Sequence, residues 1–211
     1  MRFEKFIEQL KLELENPLPG NAAHLKMAPG SNEEIKKKYS EFPVDAKRAS
    51  TVCLLFPIND EPHFTLIKRT EDGRAHSGQI AFPGGRIENE ESKIEAAIRE
   101  TEEELGFKIY ENNILKELTN IYVFVSQFIV FPFLAFTNKN PNFIAQESEV
   151  AQILKVKVAD LLDDKNCMRK DINVRGMKMN VPCFLLNNQI VWGATAVMLS
   201  EIKEIIKGLD L

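Results

Sequence analysis

Residues 85–107, GRIENEESKIEAAIRETEEELGF, set eight glutamates against two arginines and one lysine. So much carboxylate on one short element constrains the chain more than its overall composition does, because like charges at close range repel unless a cation or a proton intervenes. Hard divalent cations take oxygen ligands and reach proteins through a few carboxylates plus substrate phosphates. The segment therefore points to metal-assisted chemistry on a phosphorylated substrate. A solvated acidic helix face is the bland alternative. The glycines at either end, Gly84-Gly85 and Gly106, have to be weighed against it.

The spacing predicts a helix from near Ser92 to near Leu105. It places Ile94, Ala97, Ile98, Thr101 and Leu105 on one inward stripe. Ser92 with Glu95 makes a capping box, and Gly106 sits where a left-handed cap would end the helix. Glu100, Glu103 and Glu104 are three and four residues apart, so their side chains meet on an adjacent face.

Gly85, Glu91 and the run Arg99-Glu100-Thr101-Glu102-Glu103-Glu104-Leu105-Gly106-Phe107 resemble the Nudix box. Of the nine fixed positions in that 23-residue pattern the chain meets eight, with Thr101 standing where an aliphatic residue is usual. The resemblance implies hydrolysis of nucleoside diphosphates linked to another moiety, with Mg²⁺ or Mn²⁺ as cofactor. Glu100 and Glu104 would be the principal metal ligands. Glu103 would be a further ligand or a water-orienting carboxylate, and the Gly85 turn would offer a carbonyl to the metal. These three glutamates are the candidate catalytic residues, and Glu91 with Arg99 would be a structural ion pair. Water would attack phosphorus in line, so no covalent nucleophile is needed.

Immediately upstream, Arg69, Arg74, Gly78 and Phe82-Pro83-Gly84-Gly85 fall at the spacing of the motif that accompanies the box in coenzyme A diphosphatases. Thr70 replaces the usual serine or alanine, and Thr65-Leu66-Ile67 only approximates the preceding Leu-Leu-Thr. The resemblance implies coenzyme A or a derivative as substrate, cut to 3′,5′-ADP and 4′-phosphopantetheine. Arg69, Arg74 and Gly84 are the substrate-binding candidates, and Lys68 and His76 could add donors. Guanidinium groups suit phosphate oxygens. Arg69 could instead pair with Glu71 or a box carboxylate, and Arg74 and His76 could be plain surface. Other diphosphatase substrates, such as ADP-ribose or NADH, and a non-catalytic nucleotide-binding module are the alternatives.

Two further stretches are similar to the same group. Val125 to Phe133 carries Gln127 where a small residue, often glycine, is usual. Trp192-Gly193-Ala194-Thr195-Ala196 precedes the last helix, and there Trp192 reads as a core anchor before an adenine platform. Nudix enzymes often add an acidic residue from a facing loop. Glu147 and Glu149 are the candidates, and Glu149 reads as structural or supporting.

The remaining sequence suits one domain spanning 1–211, with residues 1–44 as an N-terminal helix and loop and 45–200 as the core. The expected fold is an α/β (α+β type) Nudix α/β/α sandwich on a mixed, mainly antiparallel sheet. A net charge of −4 with short basic stretches argues against nucleic acid. Three widely spaced cysteines indicate neither disulfides nor zinc. The charged N-terminal helix is not a signal peptide, and the apolar run 121–136 is too short and interrupted for a membrane span. A cytoplasmic enzyme with a small-molecule partner follows, with a homodimer left open. Helices are expected over 2–14 and 194–207, and an ordered loop over 16–30. Strands are expected over 51–58, 64–68, 107–110, 117–124, 128–136, 152–158 and 181–186.

Overall fold

In the computed structural model, which describes residues 2–29, 42–71, 73, 76–174 and 176–209, Asn59 and Asp60 take φ values of 51° and 65°. Two successive positive φ angles make a type I′ turn, whose twist matches that of paired strands. The apolar runs on either side therefore fold back as β1 (Lys47–Ile58) and β2 (Glu61–Arg69). Helix α1 (Phe3–Glu13) starts against this turn, with the Phe3 N–H donating to the Asp60 carbonyl at 2.8 Å. Its Phe3, Phe6, Ile7, Leu10 and following Leu14 are all buried, as the periodicity predicts.

β1 and β2 pair only from Leu55–Phe64 to Ile58–Glu61 and then diverge. The fork is filled by two short strands, β3 (Ile80–Ala81) on β2 and β4 (Gly84–Arg86) on β1. This wedge puts the glycine turn in the middle of the sheet. On the outer side of β1, β7 (Phe128–Phe136) runs parallel, and it carries β5 (Ile114–Glu117) and β6 (Ile121–Val123) antiparallel. On the outer side of β2 lies β8 (Val150–Lys157), also antiparallel. Among the described residues these eight strands form one mixed sheet.

Alternation along β1 divides the core. Val52, Leu54 and Phe56 pack with Phe131, Phe133 and Ala97 under helix α3 (Lys93–Leu105). Cys53 and Leu55 face the larger cluster, built with α1 and the last helix, α5 (Gly193–Lys207). No helix among the described residues is long and apolar enough to cross a membrane.

Several sequence expectations need correction. Residues 16–30 hold a helix, α2 (Gly20–Met27), and not only a loop. It is held from outside: Glu201 of α5 accepts the Gly20 N–H at 3.1 Å, and Ser200 donates to the Ala23 carbonyl at 2.8 Å. Residues 107–110 are not a strand, although Ile109 is fully buried, because a 3₁₀ turn at Glu111–Asn113 intervenes before β5 finds its partner. The strand expected over 117–124 is broken between β5 and β6, where Glu201 takes both the N–H and the hydroxyl of Thr119. A short helix α4 (Val158–Leu162) follows β8. A second sheet of three antiparallel strands, β9 (Cys167–Val174), β10 (Met177–Leu186) and β11 (Gln189–Trp192), had only its middle strand anticipated.

Candidate active site

The glycine turn is fixed by close approach. Gly84 has φ 147°, and a Cβ there would fall 2.2 Å from the Ser50 carbonyl oxygen. At Gly85 a Cβ would fall 2.3 Å from a Glu100 carboxylate oxygen, so that carboxylate occupies the space a side chain would need. No larger residue fits at Gly84 without moving β1, and one at Gly85 would displace the Glu100 carboxylate. The segment is also anchored from behind, because the buried Thr195 hydroxyl of α5 donates to the Ile80 carbonyl at 3.0 Å. In the sequence Thr195 is only part of a motif, and the contact spans too much chain for any local signal to disclose it.

Helix α3 begins with the reciprocal Ser92–Glu95 capping box and ends at Gly106 with φ 60°. Its buried face is rotated from the expected stripe. Ala96, Ala97, Thr101, Glu104 and Leu105 are buried, whereas Ile94 and Ile98 are only half-buried. The rotation carries Glu104 inward, to 1% exposure, and leaves Glu103 exposed. Thr101 is accommodated because its hydroxyl donates to the Ala97 carbonyl of its own helix at 2.7 Å.

Arg99 organises the exposed half of the cluster. It grips Glu91 through Nε and Nη2 at 3.1 and 2.7 Å. Nη1 reaches Glu100 at 2.9 Å and Glu103 at 3.2 Å, and Nη2 also donates to the Arg86 carbonyl at 3.1 Å. The guanidinium hydrogen-bonded to Glu91 holds that carboxyl below the usual range. Glu91 raises the Arg99 pKa in turn.

Glu104 lies deeper. It accepts the Gly84 N–H at 2.8 Å, and Arg69 Nη1 stands 3.5 Å away. Burial pushes its pKa up to about 8, opposed by the Gly84 N–H and Arg69 and reinforced by Glu100 and Glu149. Burial likewise raises Glu100, against the pull of Arg99, with Glu103 and Glu149 adding to the rise. Glu149 thus belongs electrostatically to this pair. It sits in the turn just before β8, where its carbonyl accepts the Thr70 N–H at 3.0 Å beside Arg69, whereas Glu147 is exposed.

Other sequence candidates lie elsewhere or turn away. Arg74 is outside the described residues. His76 has φ 68° and its Nδ1 faces Gln79 of its own loop at 3.0 Å. Gly78, at φ 69°, closes that loop by donating to the Thr70 carbonyl. Lys68 is half-buried on β2. Gln127 has φ 58° in the β6–β7 turn and is exposed, a backbone conformation that glycine adopts without strain. Trp192 is half-buried at the mouth of α5.

Among the described residues, no three His, Cys, Asp or Glu side chains converge as a ready-made metal cluster. Glu100 and Glu104 nevertheless fit a hard cation. Glu104 is buried and Glu100 half-buried, both against the Gly84-Gly85 turn, and their mutual repulsion and desolvation are what a cation would relieve. Two carboxylates, a backbone carbonyl and substrate phosphates are a normal Mg²⁺ donor set.

Comparison with known proteins agrees with this architecture. The model of the NUDIX domain family matches residues 47–172. The "Uncharacterized Nudix hydrolase NudL" of Yersinia enterocolitica is 30% identical over 155 residues, covering 72% of this chain and 79% of that protein. The Yersinia pestis (strain Pestoides F) protein of the same name is 27% identical over 167 residues, covering 79% and 83%. Among solved structures, a MutT/nudix family protein from Enterococcus faecalis superposes with a TM-score of 0.57 at 18% identity, covering 84% of this chain and 70% of its own. The MutT protein from Methanosarcina mazei Go1 superposes with a TM-score of 0.51 at 18% identity, covering 79% and 99%. The chain belongs to the Nudix hydrolases, enzymes that hydrolyse phosphorus-containing anhydrides in nucleoside diphosphate derivatives and generally use divalent cations.

Proposed function

We propose that this enzyme hydrolyses the pyrophosphate of coenzyme A or a derivative, with Mg²⁺ or Mn²⁺, to 3′,5′-ADP and 4′-phosphopantetheine. The observation that carries the reading is the junction of the two motifs. Arg69, from the segment resembling coenzyme A diphosphatases, stands against Glu104 of the box, and Gly84 of the same segment donates to the same carboxylate. Pyrophosphate recognition and cation binding then meet at one carboxylate beside the fork of the sheet.

The divalent cation supplies charge neutralisation on the pyrophosphate. Glu100 and Glu104 would hold it, and Glu103, exposed on the rim, would orient the attacking water. Arg69 grips phosphate oxygens, in keeping with the fork geometry of guanidinium. The water oxygen forms the new P–O bond while the anhydride P–O bond breaks, and the leaving phosphate takes the displaced electron pair. Arg99 keeps loop and helix in register through Glu91. Cys53, Cys167 and Cys183 are all free thiols, which supports a reducing, cytoplasmic setting.

The test is to incubate the purified protein with coenzyme A, ADP-ribose and NADH side by side, with each metal, and to identify products by mass. Release of 3′,5′-ADP well above turnover of the other two is expected. Equal or faster cleavage of ADP-ribose or NADH would leave the Nudix chemistry and sink the coenzyme A assignment.

A further inference from the structure

Ser50 is fully buried, and its hydroxyl has no hydrogen-bond partner among the described residues. Buried hydroxyls are almost always satisfied, so each exception needs a cause. Three independent relations place this one. Ser50 lies directly opposite Gly85 in the β1–β4 ladder, and opposite residues project to the same face with Cβ positions about 5 Å apart. The space over Gly85 on that face is filled by the Glu100 carboxylate. Ser50 is also level with Phe131 on β7 and two residues before Val52, both of which pack with Ala97, one turn before Glu100 on α3.

The unsatisfied donor therefore stands beside the carboxylate that Arg99 holds by Oε1. A carboxylate that binds a metal through one oxygen is itself usually held by an outer hydrogen bond. We propose that Ser50 is a positioning residue for Glu100, its hydroxyl donating to that carboxylate once a divalent cation draws it from Arg99. The inference rests on the reading that Glu100 and Glu104 hold the cation. It explains why a donor without a partner is tolerated in the core: its acceptor arrives with the cation.

The hydroxyl should then matter for cation binding and not for the cation-free fold. Ser50→Ala removes the donor, and Ser50→Cys keeps the volume with a much weaker one. Mn²⁺ affinity is measured by electron paramagnetic resonance titration without nucleotide, and the melting temperature is measured in EDTA. Both variants should bind Mn²⁺ about tenfold more weakly, and both should melt at or above the wild-type temperature. Affinity within twofold of wild type in either variant would overturn the proposal. So would a melting temperature lowered in both, which would assign Ser50 to packing. If the wild-type protein shows no saturable Mn²⁺ site, the cation reading of Glu100 and Glu104 fails and this inference falls with it.

Discussion

Two buried glutamates on two helices, Glu104 on α3 and Glu201 on α5, are 1% and 0% exposed, yet their surroundings push them in opposite directions. Glu201 accepts from the Gly20 N–H, the Thr119 N–H and the Thr119 hydroxyl, and it meets His24 Nε2 at 3.2 Å. Burial alone would raise its pKa, but His24 and Thr119 outweigh burial and the net shift is downward. Glu104 has one backbone N–H and a guanidinium at 3.5 Å, and burial carries it up to about 8. The first carboxylate is complete and fastens α2 and the Thr119 loop to α5. The second is left wanting positive charge, which the proposed cation would supply and a structural tie does not need.

The sharpest way to break that comparison is to neutralise each in turn. Glu104→Gln keeps the shape and removes the charge, so turnover should fall by roughly two to three orders of magnitude. The melting temperature in EDTA at pH 8 should hold or rise. Glu201→Gln should do the reverse, because the amide turns an N–H toward groups that are already donors. Unfolding free energy should drop by about 3 kcal/mol, with turnover per folded molecule largely unchanged. Chemical denaturation and steady-state rates on the same samples decide it. Retained turnover in Glu104→Gln, or lost turnover without lost stability in Glu201→Gln, would collapse the distinction.

The pH dependence follows from the same contrast. An ordinary glutamate titrates near 4.5, and Glu104 in the fold near 8. Between those values the folded state keeps a proton that the unfolded state has released. Cation-free stability should therefore decline as pH rises from about 4.5 to about 8 and level off above. Glu100 shifts the same way, whereas Glu201, lowered, adds stability that is lost only as pH falls below the ordinary carboxylate range. At about 1.4 kcal/mol per pKa unit the decline should reach a few kcal/mol. Added Mg²⁺ should raise the melting temperature more at pH 8 than at pH 5.5, since ligating carboxylates must be ionised. Melts in EDTA from pH 5.5 to 8.5 that show no slope, or the same slope in Glu104→Gln, would remove Glu104 as its source.

What could be read in the sequence divides along similar lines. The capping box, the left-handed Gly106, the inward residues of α1 and the bounds of β7 are local patterns, and they hold in the structure. The glutamates, Arg69, Gly84 and Gly85 could be named because a short pattern contains them. The rotation of α3 that buries Glu104 and leaves Ile98 half-buried could not, because it depends on Glu100 lying over Gly85 and on the Gly84 N–H waiting for Glu104. Helix α2 escaped notice because its first N–H is capped by Glu201, 181 residues away. Strand β9 is hidden in the sequence because Arg169-Lys170-Asp171 interrupts the alternation of Met168 and Ile172, and pairing with β10 is what extends it. Each miss is a long-range contact overriding a weak local preference.

The smallest effect should come from Thr101, three residues before Glu104 and equally buried. Its hydroxyl donates to the Ala97 carbonyl at 2.7 Å, a group that also lies four residues back in the helical ladder. Removing the hydroxyl therefore orphans nothing, whereas keeping it buries a polar group among Ala97 and Leu105. Thr101→Val matches its volume and supplies the aliphatic residue usual at that position. Stability should rise by no more than about 1 kcal/mol, and turnover should stay within roughly twofold, since no substrate-facing donor is lost. This variant asks whether polarity on the inner face of α3 matters only at the carboxylates. A tenfold loss of turnover would show that it does not, and the functional half of the comparison would have to extend from Glu100 and Glu104 to the helix turn between them.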